Sequence, residues 1–495
     1  MLNKEYFIMK KYKHIVKKIL FLGVLITPFN GVLADYQIYM MNNTPSQITT
    51  NNDCGTFHSD NCTAYNDKIT APFKRQQIFS VNYDKGITSG DDFKLKSYFT
   101  LPSGQKNNYF TVTFHGDQIG SHVKSIDVFV ANKSYNLLND DNSQGKVLAN
   151  SLAQKTFKDS DGQLYSLYVD TQKDRVSTLQ GIDDIFFTLN KKPVFFTSNA
   201  TNEITLATYN IIAFPDYVTV ALDLNKLDER ISYLINHADL DFDVIVFEEA
   251  WDRDVRNKII NGLKGKYPYN FDPIPANTHN LPLNSGLLVL SKHPISKKFF
   301  INYQDYQTLT DADRLSNKGA LFVSINKGNK KYNIIATHTQ ATNTKIAIKL
   351  RQEEFSLIRK HIIGNVNLSI SKSDPLILMG DLNTDYYDKI QFNKMSNTLN
   401  LSNDPIENTL YKAPKYSNDS DLNLMISASD KSKEMCDYIV PFRGFLEPNN
   451  IQRQITPIRA LNDKKMYTSP IKLHLYNYGD IELSDHFLVQ AKFIY

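Results

Sequence analysis

The hydrophobic rhythm of this 495-residue chain changes near Glu203, and that change limits the architectures open to it. Upstream, "FTVTFHG" (110–116), "SIDVFVANKSYNLL" (125–138) and "LYSLYVDT" (164–171) alternate apolar and polar residues at period two between polar turns. No stretch there carries the 3.6-residue period of a long amphipathic helix. Downstream, strands such as "EITLATYNI" (203–211) and "FDVIVFEEAWD" (242–252) alternate with helical patterns. The clearest of those are "LNKLDERISYLINHA" (224–238), "RDVRNKIINGLKGKY" (253–267) and "TKIAIKLRQEEFSLIRKHII" (344–363). Strands outnumber helices, which points to two sheets packed face to face with helices outside. The expected organisation is a signal segment (1–34), an all-β sandwich-like domain (35–190), a connector (191–202) and an α/β domain (203–495).

Hydrophobic residues make up 41% of the chain and charged residues 22%, which excludes general disorder and multiple membrane spans. The first 34 residues stand apart. "MKKYKHIVKK" is basic, "ILFLGVLITPF" is a short apolar stretch, and Val32 and Ala34 are small residues at a cleavage spacing. This is the pattern of an export signal cleaved near Ala34, and Pro28, Asn30 and Gly31 interrupt it before it could span a bilayer. Six of the 56 basic and one of the 52 acidic side chains fall within it, which leaves 50 against 51 and a net charge near −1. The mature chain is therefore not expected to grip nucleic acid, nor to keep a membrane span, and is expected to be a monomer.

Three cysteines remain in an exported protein. Cys54 and Cys62 lie eight residues apart and are expected to form a disulfide, with Cys436 a buried free thiol. His58, His115 and His122 are scattered through the β-rich part and read as surface or packed histidines rather than a metal site.

After Glu203 the strands end in polar residues that their apolar runs do not need. Asn210 ends one, Glu248 and Glu249 another, and His338 a third. Asp381 and Asn383 end "LILMGDLNTD", Asp437 opens "CDYIV", and Asp485 and His486 precede the last strand. Asp381 and Asn383, two apart, are expected on one face. Oxygen ligands of this kind suit a hard cation such as Mg²⁺. A histidine oriented by a carboxylate suits proton abstraction from water. Together they fit metal-assisted attack on a phosphate ester.

These residues also carry a resemblance. "FEEAWD", "DRLSNKG" (313–319), "THTQA" (337–341), "GDLNTD" and "LSDHF" occur in the order seen in the endonuclease/exonuclease/phosphatase superfamily. Within it, the chain is most similar to the secreted bacterial neutral sphingomyelinases (sphingomyelinase C). The resemblance covers about residues 203–495. It implies a four-layer α/β sandwich and Mg²⁺-dependent hydrolysis of sphingomyelin in membrane surfaces, with Mn²⁺ or Co²⁺ as substitutes. It further implies Glu249, Asn210 and Asp485 at the metal, His486 as general base, and Asp437 orienting it. Asp381 and Asn383 would position phosphate or water, and His338 would bond a phosphoryl oxygen or assist the leaving group. Lys318 and Asp313 would lie near the substrate or a second metal.

Two departures from that pattern stand out. Glu248 adds a carboxylate beside Glu249 and, by strand alternation, is expected to face away from it, toward solvent or a lysine. The segment "MYTSPIKLHLYNYGD" (466–480) holds no tryptophan, so docking on a membrane would fall to Tyr467, Ile471, Leu473 and Leu475. Trp251, the single tryptophan, is expected to pack under the site. Two other readings stay open on sequence alone: an extracellular nuclease or phosphoinositide phosphatase, and a non-catalytic subunit that binds host cells.

Overall fold

The computed structural model describes residues 36–57, 61–66, 69–82, 90–116, 121–140, 145–147, 151–172, 184–215, 227–273, 279–402, 413–423, 425–426, 432–460, 466–467 and 482–495. The export signal, His58 and the side chains of 466–480 lie outside them. No helix of the described residues is long and apolar enough to cross a membrane.

The second half of the chain builds four layers. One sheet holds, in spatial order, Tyr269–Phe271, Leu288–Ser291, Val244–Ala250, Glu203–Ala213, Leu488–Ile494 and Asn450–Thr456. The other holds Ile295–Asn302, Gly319–Lys327, Lys330–Thr337, Leu376–Asp381 and Asp437–Pro441. Their strands are apolar on both faces because both faces are covered. Leu206, Val246 and Val289 of the first sheet share a buried cluster with Leu321, Ile335 and Leu378 of the second. Helices Leu227–His237 and Arg253–Leu263 cover the outside of the first sheet through Ile231, Leu234 and Ile259. Helices Lys345–Ile358 and Lys389–Leu399 cover the second through Phe355, Ile358, Met395 and Leu399.

Local chemistry sets the helix starts. Asp252, Thr344 and Asp388 each cap a helix, accepting bonds from N–H groups two or three residues on. The 344–363 helical pattern is α-helical to Ile358 and continues as a π-helical turn over Arg359–Ile363.

The first half is a sandwich of two sheets. One contains Asn108–Gly116 and Ser121–Val130, the other Leu164–Gln172, Asp184–Lys191 and Tyr36–Asn43. Between them the Phe110 and Phe187 rings stack at 3.5 Å. Cys54 and Cys62 are joined by a disulfide, and Cys436 is a buried free thiol.

The two halves are stitched together at several points. Met41, Phe73, Tyr168 and Phe186 belong to the same buried cluster as the core of the second half. Arg75 pairs with Asp421 at 3.3 Å. Met466–Tyr467, from the second half, adds a strand to the first half's sheet by pairing with Ser151 and Leu152. The connector is held as well: Gln490 bonds the Val194 carbonyl at 3.0 Å and accepts the Phe196 N–H at 2.8 Å.

One glycine governs how the functional strand ends meet. Gly380, in "GDLN", has φ +131°, and a Cβ there would lie 1.9 Å from the Thr337 carbonyl oxygen of the neighbouring strand. Backbone on backbone leaves nothing that can give way. Gly380→Ala is therefore expected to cost about 3 kcal/mol or more of stability. Denaturant unfolding of the variant checks this; an unchanged midpoint would contradict the close approach.

Candidate active site

The six polar strand ends converge at one end of the two-sheet stack. Asn210 and Glu249 come from the first sheet, Asp381 from the second, and His338 follows the strand Lys330–Thr337. Asp437–Pro441 and Leu488–Ile494 run antiparallel to their neighbours. Asp437 and the pair Asp485–His486 therefore reach the same end from the beginnings of their strands.

The geometry forms two linked groups. Asn210 Nδ2 donates to Glu249 Oε1 and to Asp381 Oδ2, both at 3.1 Å, which joins the two sheets. Its Oδ1 accepts from the Ile212 N–H at 3.2 Å, so the amide presents its nitrogen to the carboxylates and orients them. His486 Nδ1 lies 2.8 Å from Asp437 Oδ2. Asp381, Asp437 and His486 offer ligand atoms within 4.8 Å of one another. Asn383 follows Asp381 closely: its N–H donates to Asp381 Oδ1 at 2.9 Å and its amide to the Thr339 carbonyl at 3.1 Å.

Behind this group runs a buried chain. Asp313 pairs with Lys318 at 2.8 Å, and Lys318 Nζ reaches His338 Nε2 at 3.1 Å and the Thr339 carbonyl at 2.9 Å. Those three bonds use all three ammonium donors. Lys318 is 1% exposed and Asp313 also bonds the Ala341 N–H. Both therefore stand behind His338 and not at an open face. His338 Nε2 is 3.7 Å from Asp381 and 3.9 Å from Glu249, while its Nδ1 is buried without a partner.

Glu248 differs from the sequence expectation. It is fully buried and accepts a 2.5 Å bond from Thr208 Oγ1, on the same strand face as Val244 and Val246. Glu249 is the residue that departs from alternation: at φ +53° it sits in the left-handed region and turns its carboxylate back toward Asn210. Ile212, beside Asn210, is likewise left-handed at φ +41°, where the strand register slips between Asn210 and Ala213. Strained backbone of this kind gathers at functional sites. Trp251 is buried next to the group, with Nε1 3.4 Å from Glu249 Oε2. Gly286 admits it, since a Cβ there would lie 2.6 Å from the indole.

The charges are crowded. Burial, and then the Asp485 carboxylate, push Glu249 up to about 7. Burial and Asp437 push Asp381 up to about 6. Burial pulls the His486 pKa down, but Asp437, Asp381 and Asp485 outweigh it and hold the imidazole well above its usual range. Burial, Lys318 and His486 hold His338 well below it. Among the described residues, the one basic side chain within 4 Å of Glu249 or Asp381 is the His338 imidazole. An excess of convergent carboxylate oxygen without a matching ammonium or guanidinium fits a hard divalent cation.

Residues 216–413 match the sequence model of endonuclease/exonuclease/phosphatase family 2. That match spans about two fifths of the chain. Sphingomyelinase C 2 of Leptospira interrogans is 34% identical over 167 residues, 30% of this chain and 26% of that protein. A second Leptospira interrogans sphingomyelinase C is 29% identical over 270 residues, 51% of this chain and 45% of that one. The chain thus spans less than half the length of these two relatives. Sphingomyelinase C of Listeria ivanovii is 28% identical over 264 residues, 50% of this chain and 74% of its own. Among solved structures, SmcL superposes with a TM-score of 0.49 at 25% identity, over 59% of this chain and the whole of that one.

The second half of the chain contains a further buried acid that carried no sequence signal. Glu354, on helix Lys345–Ile358, accepts the Gln340 N–H at 2.9 Å and a bond from Gln307 at 3.2 Å. It braces the turn that follows His338. Burial pushes its pKa up to about 8. A folded-state pKa above the unfolded one means that the folded chain keeps a proton the unfolded chain releases. The stability this adds is full below the ordinary carboxylate pKa and is lost as pH rises to about 8. Urea midpoints across pH 5 to 8 are expected to fall less steeply in Glu354→Gln than in the parent; parallel curves would contradict a protonated Glu354.

Proposed function

We propose that this chain is an exported, Mg²⁺-dependent phosphodiesterase that hydrolyses sphingomyelin to ceramide and phosphocholine. The observation that carries the reading is the His486–Asp437 bond at 2.8 Å, with Asp381 in reach and Glu249 and Asn210 across from it. The names of the relatives supply the substrate class. The basic and apolar opening of the chain supplies the export reading.

In this mechanism Nδ1 of His486 stays tied to Asp437, which fixes the tautomer and leaves Nε2 as proton acceptor. Nε2 takes a proton from the attacking water, the water oxygen bonds phosphorus, and the phosphorus–oxygen bond to ceramide breaks. The departing ceramide oxygen ends protonated. Asp381 and Asn383 hold water and phosphate in line, with His338, fixed by the Lys318 bond to its Nε2, behind Asp381 and Glu249. Glu249, with Asp485 beside it and Asn210 orienting it, would hold Mg²⁺ (Mn²⁺ or Co²⁺ substituting). When bound, the cation supplies Lewis-acid polarisation of the phosphoryl oxygen and offsets the carboxylate field on His486.

Phosphocholine release from sphingomyelin, with phosphatidylcholine and DNA in parallel and with and without Mg²⁺, tests the reading. Sphingomyelin is expected to be turned over fastest and only with the cation. Glu249→Gln is expected to raise the Mg²⁺ requirement and to recover in part at excess Mg²⁺. His486→Ala is expected to lose about 10²–10⁴ in rate without such recovery. Faster cleavage of DNA, or near-normal turnover by His486→Ala, would overturn it.

A further inference from the structure

Ser417 lies in the 413–434 segment, outside every motif that leads to the site, and is completely buried. Its hydroxyl oxygen accepts the N–H of Cys436 at 3.1 Å and of Asp437 at 3.3 Å. Its hydroxyl proton points to the Glu434 carbonyl at 3.5 Å. Its own carbonyl accepts the Phe487 N–H at 2.7 Å.

These bonds answer a specific need. Asp437–Pro441 is the edge strand of its sheet, so the outward N–H groups at its start have no neighbouring strand to accept them. A buried N–H left without an acceptor is costly, and Ser417 accepts two. His486 precedes a strand of the other sheet, and among the described residues no strand pairing joins the two sheets. One residue thus bonds the main chain of Asp437 directly and that of His486 at the next residue. Asn423 of the same segment adds a 2.8 Å bond to the Ser484 carbonyl, on the other side of His486.

We propose that Ser417 is a positioning residue that sets the separation at which the Asp437 carboxylate and the His486 imidazole share a hydrogen bond. Its effect on turnover rests on the acid–base reading of that pair; its effect on the pair itself does not. A shift of about 1 Å in a catalytic group costs up to about 100-fold in rate. The loss would fall on kcat, because the groups that hold substrate and cation do not touch Ser417.

The test uses the full mature chain with Ser417→Ala, and with Leu399→Ala as a buried destabilising change in a helix that makes no bond to the pair. Low-field proton NMR reads the His486 Nδ1 proton bonded to Asp437. That resonance is expected in the parent and in Leu399→Ala, and is expected to be lost or moved upfield in folded Ser417→Ala. On detergent-dispersed sphingomyelin, Ser417→Ala is expected to lose about 10- to 100-fold in kcat, with KM and Mg²⁺ half-saturation within about twofold of the parent. In an Asp437→Ala background the same change is expected to cost nothing further. Ser417→Cys keeps the volume with a weaker acceptor, and takes the test in the same direction if the alanine variant does not fold. An unchanged resonance in either folded variant, or losses that multiply in the double variant, would overturn the proposal. If the parent does not turn over sphingomyelin, the functional reading fails, and the NMR comparison still decides the role of Ser417.

Discussion

The polar end of this fold depends on side-chain bonds between two sheets that no ladder joins. At that end Asn210 to Asp381, and His486 to Asp437, tie the sheets across the gap. Packing of Leu206, Val246, Leu321 and Ile335 brings the sheets to a fixed distance, but apolar contact is indifferent to small sliding. The hydrogen bonds are directional, and they fix the alignment. Apolar layers supply the driving force and polar ends supply the register.

That arrangement puts several carboxylates into a small volume, which opposes folding. Glu248, Glu249 and Asp381 all have their acid forms favoured by burial. Like charges at this range repel strongly where water is excluded. The backbone around them is also held in left-handed conformations at Ile212, Glu249 and Asn383. Such an end is stable only because the layers below it are extensive and close-packed. Removing water and charge balance from a site is a usual accompaniment of its function, and the rest of the fold offsets the cost.

Much of this was legible in the residues. Period-two and period-3.6 patterns separate the two halves near Glu203, and Asp381, Asp437, His338 and His486 announce themselves as polar ends of apolar runs. What escaped has common causes. Alternation places Glu248 away from the site, and it fails because Glu249 is left-handed, a property of the assembled neighbours and not of "EEA". The partners of Lys318 were not legible, because an ammonium's spare donors depend on its neighbours, and here Asp313, His338 and the Thr339 carbonyl take all three. Ser417 and Glu354 act through main-chain groups of other segments, and main-chain partners leave no trace in a sequence. The contacts that stitch the N-terminal half to the second half join residues more than 200 apart along the chain, which no local pattern records.

The strand Met466–Tyr467 has a consequence for how the chain is made. It pairs with the first two residues of the outer strand of a sheet whose other strands lie between residues 36 and 191. A ribosome delivers those strands early and the closing one almost last. Throughout synthesis the start of that outer strand, at Ser151 and Leu152, therefore waits for its partner with its outward main-chain groups unpaired. An open strand edge is a template for any other extended segment, including the same segment of a neighbouring copy. A chain interrupted before residue 466 would leave Ser151 and Leu152 without that partner for good. Completion of the C-terminal part thus acts as a seal on a region built long before it.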